Sequence, residues 1–403
     1  MYPLSGTISV RTPENRSGHG SRRVPAIQEE MRMAIKQPPY TYDIVGSFLR
    51  PQRLKRARAA FAAGKISRDE LTAVEDECIT ELVESEKKVG LKAVTDGEFR
   101  RAMWHLDFLE ELEGVEHVDA ASWSVEFKGP KPKGAQLRFT GKIGFGDHPF
   151  LKHYAKLREI AGNYPTKMTV PSPSMLHLIP CVRGKATYEP IDRYKDEQAL
   201  FDDIVTTYQD AVKAFYDLGC RYLQFDDTAW GEFCDAKKRA AYEAEGIDLA
   251  EVAKHYVTTI NRILEAKPED MTITTHICRG NFRSTWFSSG GYEPVAKTLF
   301  GANYDGFFLE YDSDRAGSFE PLRYAKDKIV VLGLVTSKFP ELEDEDAMIE
   351  RIQEAEKYVP LEQLRLSPQC GFSSTEEGNV LTEDDQWAKC ALIKRIAERV
   401  WGA

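Results

Sequence analysis

From Tyr40 onward, short apolar runs alternate along the chain with longer amphipathic stretches. The short runs are rich in β-branched and aromatic residues, as strands are, whereas the long stretches repeat apolar residues at helical spacing. Eight strand-like runs occur, at residues 40–50, 92–100, 167–176, 221–230, 271–280, 304–314, 328–338 and 364–372. Eight strands alternating with helices predict an α/β fold, the (β/α)8 TIM barrel.

The helical stretches and the apolar strands support this interpretation. Residues 69–90 and 200–219 have helical periodicity, and Gly90 and Gly219 stand where glycines commonly end helices. The near-continuous apolar run KIVVLGLV, at 328–335, is typical of a parallel sheet that is buried on both faces. Residues 113–166 have few helical signals, so we expect a long insertion after strand 2, partly a hairpin, that folds over the barrel mouth.

The first 36 residues differ in composition from the rest of the chain. The stretch RTPENRSGHGSRRVPAIQ is polar, rich in Gly, Pro, Ser and Arg, and has no periodicity. We therefore expect residues 1–36 to be a disordered N-terminal extension and residues 37–403 to be one catalytic barrel domain. A transit peptide is disfavoured by Glu14, Glu29 and Glu30, and an alternative start at Met31 or Met33 would also explain the extension.

Composition and charge narrow the class of protein. The 403 residues are 42% hydrophobic and carry a formal net charge of −10, so we expect no nucleic-acid partner, which would require a basic face. We also expect no membrane association, because no apolar run approaches the roughly 18 residues of a membrane span. The seven cysteines are scattered, which favours free or metal-bound thiols in a reducing compartment and hence a cytoplasmic enzyme.

Residues with chemical function cluster at the ends of the predicted strands. In a (β/α)8 barrel the carboxyl ends of the strands meet at one mouth, where active sites lie. An alternative explanation is that strand ends are polar simply because the following loops are solvated. This would account for serine and aspartate at these ends, but it accounts less well for a His-x-Cys pair, a lone glutamate and a cysteine before glycine. The strand-end residues are Gly46, Ser47, Asp96, Glu98, Asp226, Asp227, His276, Cys278, Glu310 and Cys370.

Four of these residues predict a metal site. His276 and Cys278 share one face of a strand, because successive strand side chains alternate. Glu310 lies 32 residues beyond Cys278, and Cys370 lies 60 residues further, at spacings that suit later strand ends. A His-Cys-Glu-Cys set suits Zn2+. A buried cysteine is more often a small hydrophobe, and we expect that role for the helical residues Cys78, Cys220 and Cys390.

The composition of this ligand set indicates a reaction class. Two thiolates lower the Lewis acidity of zinc, so activation of water for hydrolysis becomes less favourable. A substrate thiol would still lose its proton near the metal and remain nucleophilic. The ligand set therefore favours alkylation of a thiol over hydrolysis, for which a shell richer in histidine and aspartate is more usual.

The sequence resembles the cobalamin-independent methionine synthase family, specifically its C-terminal catalytic barrel and the short single-barrel branch. The matching motifs are DIVGSFLRP, TDGEFRR, LQFDD, THICRGN, FFLEYDSDRAG and LSPQCGF, in the family's order over residues 40–400. The resemblance implies zinc held by His276, Cys278, Glu310 and Cys370, and a zinc-dependent methyltransferase that forms methionine from homocysteine. It further implies a role in methionine biosynthesis.

The resemblance also implies a binding site for the amino-acid part of homocysteine. Gly46 and Ser47 would bind the carboxylate, and Glu98 and Asp226 would bind the ammonium group. Two carboxylates at the mouth would suit a cationic ligand group. The alternatives are a salt bridge from Glu98 to Arg100 or Arg101, and a helix N-cap role for one of the two adjacent aspartates 226 and 227.

Departures from the family leave the methyl donor open. Where the family has an Asp-x-His region, this sequence reads GLVTSKFPELE, with Lys338 at or near the place of the histidine. The donor could be 5-methyltetrahydrofolate, methylcobalamin on a corrinoid protein partner, or another methylated metabolite. Two other functions remain open: a zinc-thiolate alkyltransferase with a coenzyme M-type acceptor, and a non-catalytic thiol- or metal-binding barrel.

Overall fold

Six parallel strands form the central sheet, and their order in the sheet follows their order in the chain. The computed structural model describes residues 37–119 and 135–402. A separate antiparallel pair precedes the parallel strands. The strands are β1 (Glu113–Asp119), β2 (Ala135–Gly144), β3 (Met168–Pro171), β4 (Tyr222–Asp227), β5 (Thr272–Ile277), β6 (Gly306–Glu310), β7 (Ile329–Val335) and β8 (Leu364–Pro368).

Two extended segments complete the barrel between β8 and β3. Tyr42 forms a parallel bridge with Leu366 of β8, and Val94 forms a parallel bridge with Thr166, which precedes β3. The two segments contact each other through the Phe48 N–H, which donates to the Gly97 carbonyl at 3.1 Å. The chain therefore folds as a (β/α)8 barrel, in which six positions are regular strands and two are single bridges.

The sequence predicted regular strands at 40–50 and 92–100, and this detail was wrong. In the first segment the Asp43 carboxylate accepts the backbone N–H of Ile44 at 2.7 Å, which removes that donor from the sheet. In the second, Glu86 accepts the Thr95 N–H at 3.0 Å, and the chain turns at once through Gly97, whose φ is +63°. Side-chain acceptors thus replace ladder hydrogen bonds in both segments.

Helices cover the outside of the sheet. Residues 68–89 form a helix with a capping box at its start and Gly90 in the left-handed conformation at its end, which confirms the predicted helix and its glycine cap. In the described residues the α-helices are α1 (Gln52–Ala62), α2 (Arg68–Val89), α3 (Leu106–Leu109), α4 (Pro149–Ala161), α5 (Pro173–His177), α6 (Glu197–Asp217), α7 (Ala229–Cys234), α8 (Ala236–Ala244), α9 (Leu249–Leu264), α10 (Glu293–Leu299), α11 (Glu345–Glu356) and α12 (Glu383–Trp401).

The segment predicted as an insertion contains the antiparallel pair β1–β2 and helix α4. Tyr194 anchors the pair, because the Ile143 N–H donates to its hydroxyl at 2.9 Å and Phe139 packs edge-on against its ring. Strand β2 also packs against α6. Residues 120–134 of this segment and the expected N-terminal extension, 1–36, lie outside the described residues.

Two further properties of the described residues bear on the sequence predictions. Cys78, Cys220 and Cys390 are buried in the main apolar core, which confirms their predicted packing role. None of the helices in this part of the chain combines the length and the apolar character needed to cross a membrane.

Candidate metal and substrate site

The four predicted metal ligands meet at the carboxyl ends of the parallel strands. His276 is the second-to-last residue of β5 and Cys278 directly follows that strand, while Glu310 is the last residue of β6 and Cys370 lies just beyond β8. One ligand atom from each side chain lies within 4.8 Å of all the others, and all four residues are buried. Residues far apart in the chain converge because parallel strands end at the same edge of the barrel.

The chemistry of these four side chains fits a zinc ion. The Sγ atoms of Cys278 and Cys370 lie 3.6 Å apart, and both cysteines are free. The ring of His276 is 2% exposed, yet neither of its nitrogens makes a hydrogen bond of normal geometry with a described residue. A buried imidazole without partners is unfavourable, and a metal bound to one nitrogen would remove the penalty. Two sulfurs, one nitrogen and one carboxylate oxygen form a tetrahedral zinc set.

The two sulfurs are within hydrogen-bonding distance of each other. A hydrogen bond from the Cys278 thiol holds the pKa of Cys370 well below its usual value, and the same hydrogen bond raises the pKa of Cys278. The backbone N–H of Gly280 donates to Cys278 Sγ at 3.3 Å. The protein therefore already favours negative charge at this pair of sulfurs.

Neighbouring groups hold the Glu310 carboxylate in position. Its Oε1 accepts the backbone N–H of Arg279 at 3.0 Å, and its Oε2 pairs with Arg315 Nη2 at 3.0 Å. Arg315 also binds Asp312 at 2.7 Å. Such outer contacts fix the orientation of a metal-binding carboxylate.

A small cavity joins the metal ligands to the predicted substrate residues. Ser47, Glu98 and Asp226 line the same cavity as His276 and the two cysteine ligands. Glu310 does not line the cavity but lies beside these ligands. The structure therefore brings together seven of the eight predicted site residues, all except Gly46. The lining residues are Val45, Ser47, Glu98, Trp104, Asp226, His276, Cys278, Cys370, Gly371 and Ser374.

Glu98 lines this cavity and has one oxygen without a hydrogen-bond partner among the described residues. Its Oε1 accepts the Thr169 hydroxyl at 2.9 Å and lies 3.4 Å from Arg101 Nη1, but Oε2 is buried without a hydrogen-bond partner among the described residues. Burial raises the pKa of Glu98. The salt-bridge alternative therefore holds in part for Arg101, whereas Arg100 pairs with Glu75 at 2.8 Å.

The backbone at Glu98 is strained. Its φ is +60°, a left-handed conformation that is unfavourable for a side-chain-bearing residue by about 1–3 kcal/mol. The Glu98 N–H donates to the Asp96 carboxylate at 2.9 Å, which stabilises this turn. The strain is typical of a residue whose side chain must point in one direction.

Asp226 is the second buried carboxylate of the cavity. Burial raises the pKa of Asp226 to about 7, and Gln224 Nε2 donates to its Oδ1 at 2.7 Å. The adjacent Asp227 instead accepts the backbone N–H of Ala229 at 2.7 Å, at the start of α7. The two aspartates therefore have different roles, and Asp226 is the one that faces the cavity.

Gly46 does not line the cavity and contributes through its backbone. Its φ is +153°, and a Cβ atom there would lie 2.5 Å from Thr169 Cγ2.

We expect Gly46→Ala to lower the free energy of unfolding by about 1–3 kcal/mol, because both the backbone and the contact with Thr169 would be strained. Chemical denaturation measures this change. Gly64→Ala is the control, since Gly64 also has a positive φ, +66°, but has open space around it. Equal losses of stability in both variants would show that the contact with Thr169 does not contribute.

Four lining residues of the cavity were missed by the strand-end analysis: Val45, Trp104, Gly371 and Ser374. Trp104 and Ser374 reach the cavity from loops, and the Trp104 N–H donates to the Ser374 carbonyl at 3.0 Å. A tryptophan in the short polar segment that follows Glu98 was the available signal for the first of them. Ser374 had no distinguishing signal.

Comparison with known proteins identifies the family of the chain. The sequence profile of the family described as "Cobalamin-independent synthase, Catalytic domain" matches residues 40–384. The uncharacterized protein YxjG of Bacillus subtilis (strain 168) is 49% identical over 377 residues, which cover 93% of this chain and 98% of YxjG. The chain belongs to the cobalamin-independent synthase catalytic-domain family, a family of methionine synthases.

Two solved structures share the fold. One is a candidate vitamin-B12-independent methionine synthase from Listeria monocytogenes, 43% identical, with a TM-score of 0.72 over 91% of this chain and 99% of that one. The other is a B12-independent methionine synthase from Shewanella sp. W3-18-1 in complex with selenomethionine, 19% identical, with a TM-score of 0.67 over 89% and 97% of the two chains. The second similarity supports the fold alone.

Proposed function

We propose that this protein is a zinc-dependent methyltransferase that transfers a methyl group to the thiol of homocysteine and forms methionine. His276, Cys278, Glu310 and Cys370 would hold the zinc ion. The observation that carries the proposal is the shared cavity, which is lined both by the sulfur-rich ligand set and by two buried carboxylates. A thiol that also bears an ammonium group complements both sets of residues.

The metal ligands would activate the substrate sulfur. Zinc in this ligand set would act as a Lewis acid that favours the deprotonated, nucleophilic form of a thiol. Arg279 and Arg315 would keep Glu310 oriented, and the Gly280 N–H would stabilise negative charge on Cys278.

The other residues of the cavity would orient the amino-acid part of the substrate. The free oxygen of Glu98 and the carboxylate of Asp226 would accept hydrogen bonds from the ammonium group. Ser47 and the backbone beside Gly46 would bind the carboxylate. Fixing the ammonium and carboxylate would hold the sulfur in line for attack on the methyl donor. The Shewanella relative binds selenomethionine, an analogue of the proposed product, in a barrel of the same fold.

The two carboxylates also favour homocysteine over a coenzyme M-type acceptor. Coenzyme M carries a sulfonate and no ammonium group, so Glu98 and Asp226 would repel it. Homocysteine, in contrast, would bring a positive charge to the place where the protein buries two acidic groups.

The proposal is tested by measuring methionine formation by the purified, zinc-loaded protein. Homocysteine is supplied with 5-methyltetrahydrofolate in one assay and with methylcobalamin in a second, and coenzyme M replaces homocysteine in a third. We expect methionine from one of the first two donors and no methylated coenzyme M. Methylation of coenzyme M at a rate equal to or above that of homocysteine would contradict the proposed acceptor.

A further inference from the structure

Lys338 is a buried ammonium group without an acidic partner of its own. It lies in the loop after β7 and is fully buried. Its Nζ donates to the Gly280 carbonyl at 3.1 Å and to Asn281 Oδ1 at 3.0 Å, and both acceptors are neutral. Among the described residues no carboxylate lies within salt-bridge distance of it. Because burial of an unpaired charge is costly, the surroundings of Lys338 must supply negative charge by other means.

The two hydrogen bonds of Lys338 lead directly to the two sulfur ligands. Gly280, whose carbonyl accepts from Lys338, donates its own N–H to Cys278 Sγ at 3.3 Å. Asn281 donates from Nδ2 to the carbonyl of Gly371 at 2.7 Å, and Gly371 directly follows Cys370. Lys338 therefore holds the loop after β5, and its partner Asn281 links that loop to the loop after β8.

The charge of the proposed metal centre explains the unpaired ammonium. Two thiolates and one carboxylate carry three negative charges, and a divalent metal cancels two of them. Arg315 pairs with both Glu310 and Asp312, and the charge of Asp312, which is not one of the four ligands, offsets that of Arg315. One negative charge thus remains on the metal centre, and Lys338 is a buried cation in contact with the loop that follows Cys278.

We propose that Lys338 is a positioning residue that balances the negative charge of the metal centre and fixes the loops carrying Cys278 and Cys370. This inference rests on the proposed metal site and adds a residue to it. We therefore expect the replacement of Lys338 to lower the metal affinity of the protein even when no substrate is bound. A purely structural role would instead lower the stability of the fold and leave metal affinity unchanged.

Lys389 offers a matched control. It is also a fully buried lysine, and it holds the same loop from the outer side by donating to the Glu341 carbonyl at 2.6 Å and to Glu343 at 3.1 Å. Glu343 in turn accepts the Thr336 N–H at 2.7 Å. Lys389→Met therefore loosens the loop that carries Lys338 without removing charge beside the sulfurs.

The test is a zinc titration of the metal-free proteins against a competing chelator, with the absorption spectrum of bound Co2+ as a second readout. We expect Lys338→Met to lower zinc affinity by roughly 10- to 100-fold and to shift the sulfur-to-cobalt bands. Lys338→Arg, which keeps the charge, should restore part of that affinity. Lys389→Met should lower the melting temperature and leave zinc affinity within about twofold of the wild type. Thermal unfolding followed by circular dichroism verifies that each variant is folded.

The outcomes separate this inference from the proposed function. Wild-type zinc affinity in folded Lys338→Met would overturn the role of Lys338 and leave the metal site standing. Equal losses of affinity in Lys338→Met and Lys389→Met would also overturn it, because loop order alone would then account for the effect. A wild-type protein that binds neither zinc nor cobalt would overturn the metal site and, with it, the role of Lys338.

Discussion

Replacing Cys370 with serine should remove both bound zinc and methyl transfer. Cys370 supplies one of the two sulfurs of the ligand set, and its thiol is the one whose pKa the site holds well below the usual value. A serine hydroxyl stays protonated at neutral pH and is a poor zinc ligand. We expect zinc affinity and methionine formation each to fall by more than about 100-fold, since loss of a direct ligand exceeds the usual effect of an outer contact.

The measurement combines zinc content after dialysis with the methionine assay. Cys390→Ala is the control, because Cys390 is fully buried in α12 within the apolar core and lies outside the cavity. This variant should retain zinc and lose only stability. A Cys370→Ser protein that kept both zinc and methyl transfer would refute the role of Cys370.

Replacing Glu98 with glutamine should weaken homocysteine binding while zinc stays bound. The change removes the negative charge of a buried carboxylate whose free oxygen faces the cavity, and it keeps nearly the same volume. A hydrogen bond between charged groups contributes about 2 kcal/mol, so we expect the dissociation constant of homocysteine to rise roughly 30-fold. Isothermal titration of the zinc-loaded protein with homocysteine measures the change.

Glu75→Gln serves as the matched control for this prediction. Glu75 is also a buried glutamate, and it pairs with Arg100, which lies close to Glu98 in the sequence. Glu75 does not line the cavity. Its replacement should leave homocysteine affinity unchanged. Loss of zinc in Glu98→Gln, or unchanged homocysteine affinity, would show that Glu98 does not bind the ammonium group.

The ligand set was predictable from the sequence because a barrel brings strand ends together. Spacing along the chain indicated which strand each ligand would follow, and parallel strand order then placed His276, Cys278, Glu310 and Cys370 at one mouth. No knowledge of loop conformation was needed for this step. Glu98 and Asp226 were found by the same reasoning, helped by the resemblance of their motifs to those of the family.

The features that the sequence did not predict depend on loops and on side-chain acceptors. Asp43 and Glu86 take backbone N–H groups that a regular strand would use, and pattern analysis cannot distinguish such acceptors from ordinary polar residues. Trp104 and Ser374 reach the cavity from loops, which hydrophobic periodicity does not describe. The partners of Lys338 lie more than 50 residues away in the chain, so its place beside the sulfurs becomes visible only in the folded structure.

We expect zinc, held by the four proposed ligands, to receive the substrate sulfur. X-ray absorption spectroscopy at the zinc edge, before and after addition of homocysteine, tests it most directly. We predict two sulfur and two nitrogen or oxygen ligands in the free protein, as His276, Cys278, Glu310 and Cys370 require, and an additional sulfur once homocysteine binds. A zinc shell without two sulfurs, or one whose sulfur count does not change with saturating homocysteine, would contradict the account.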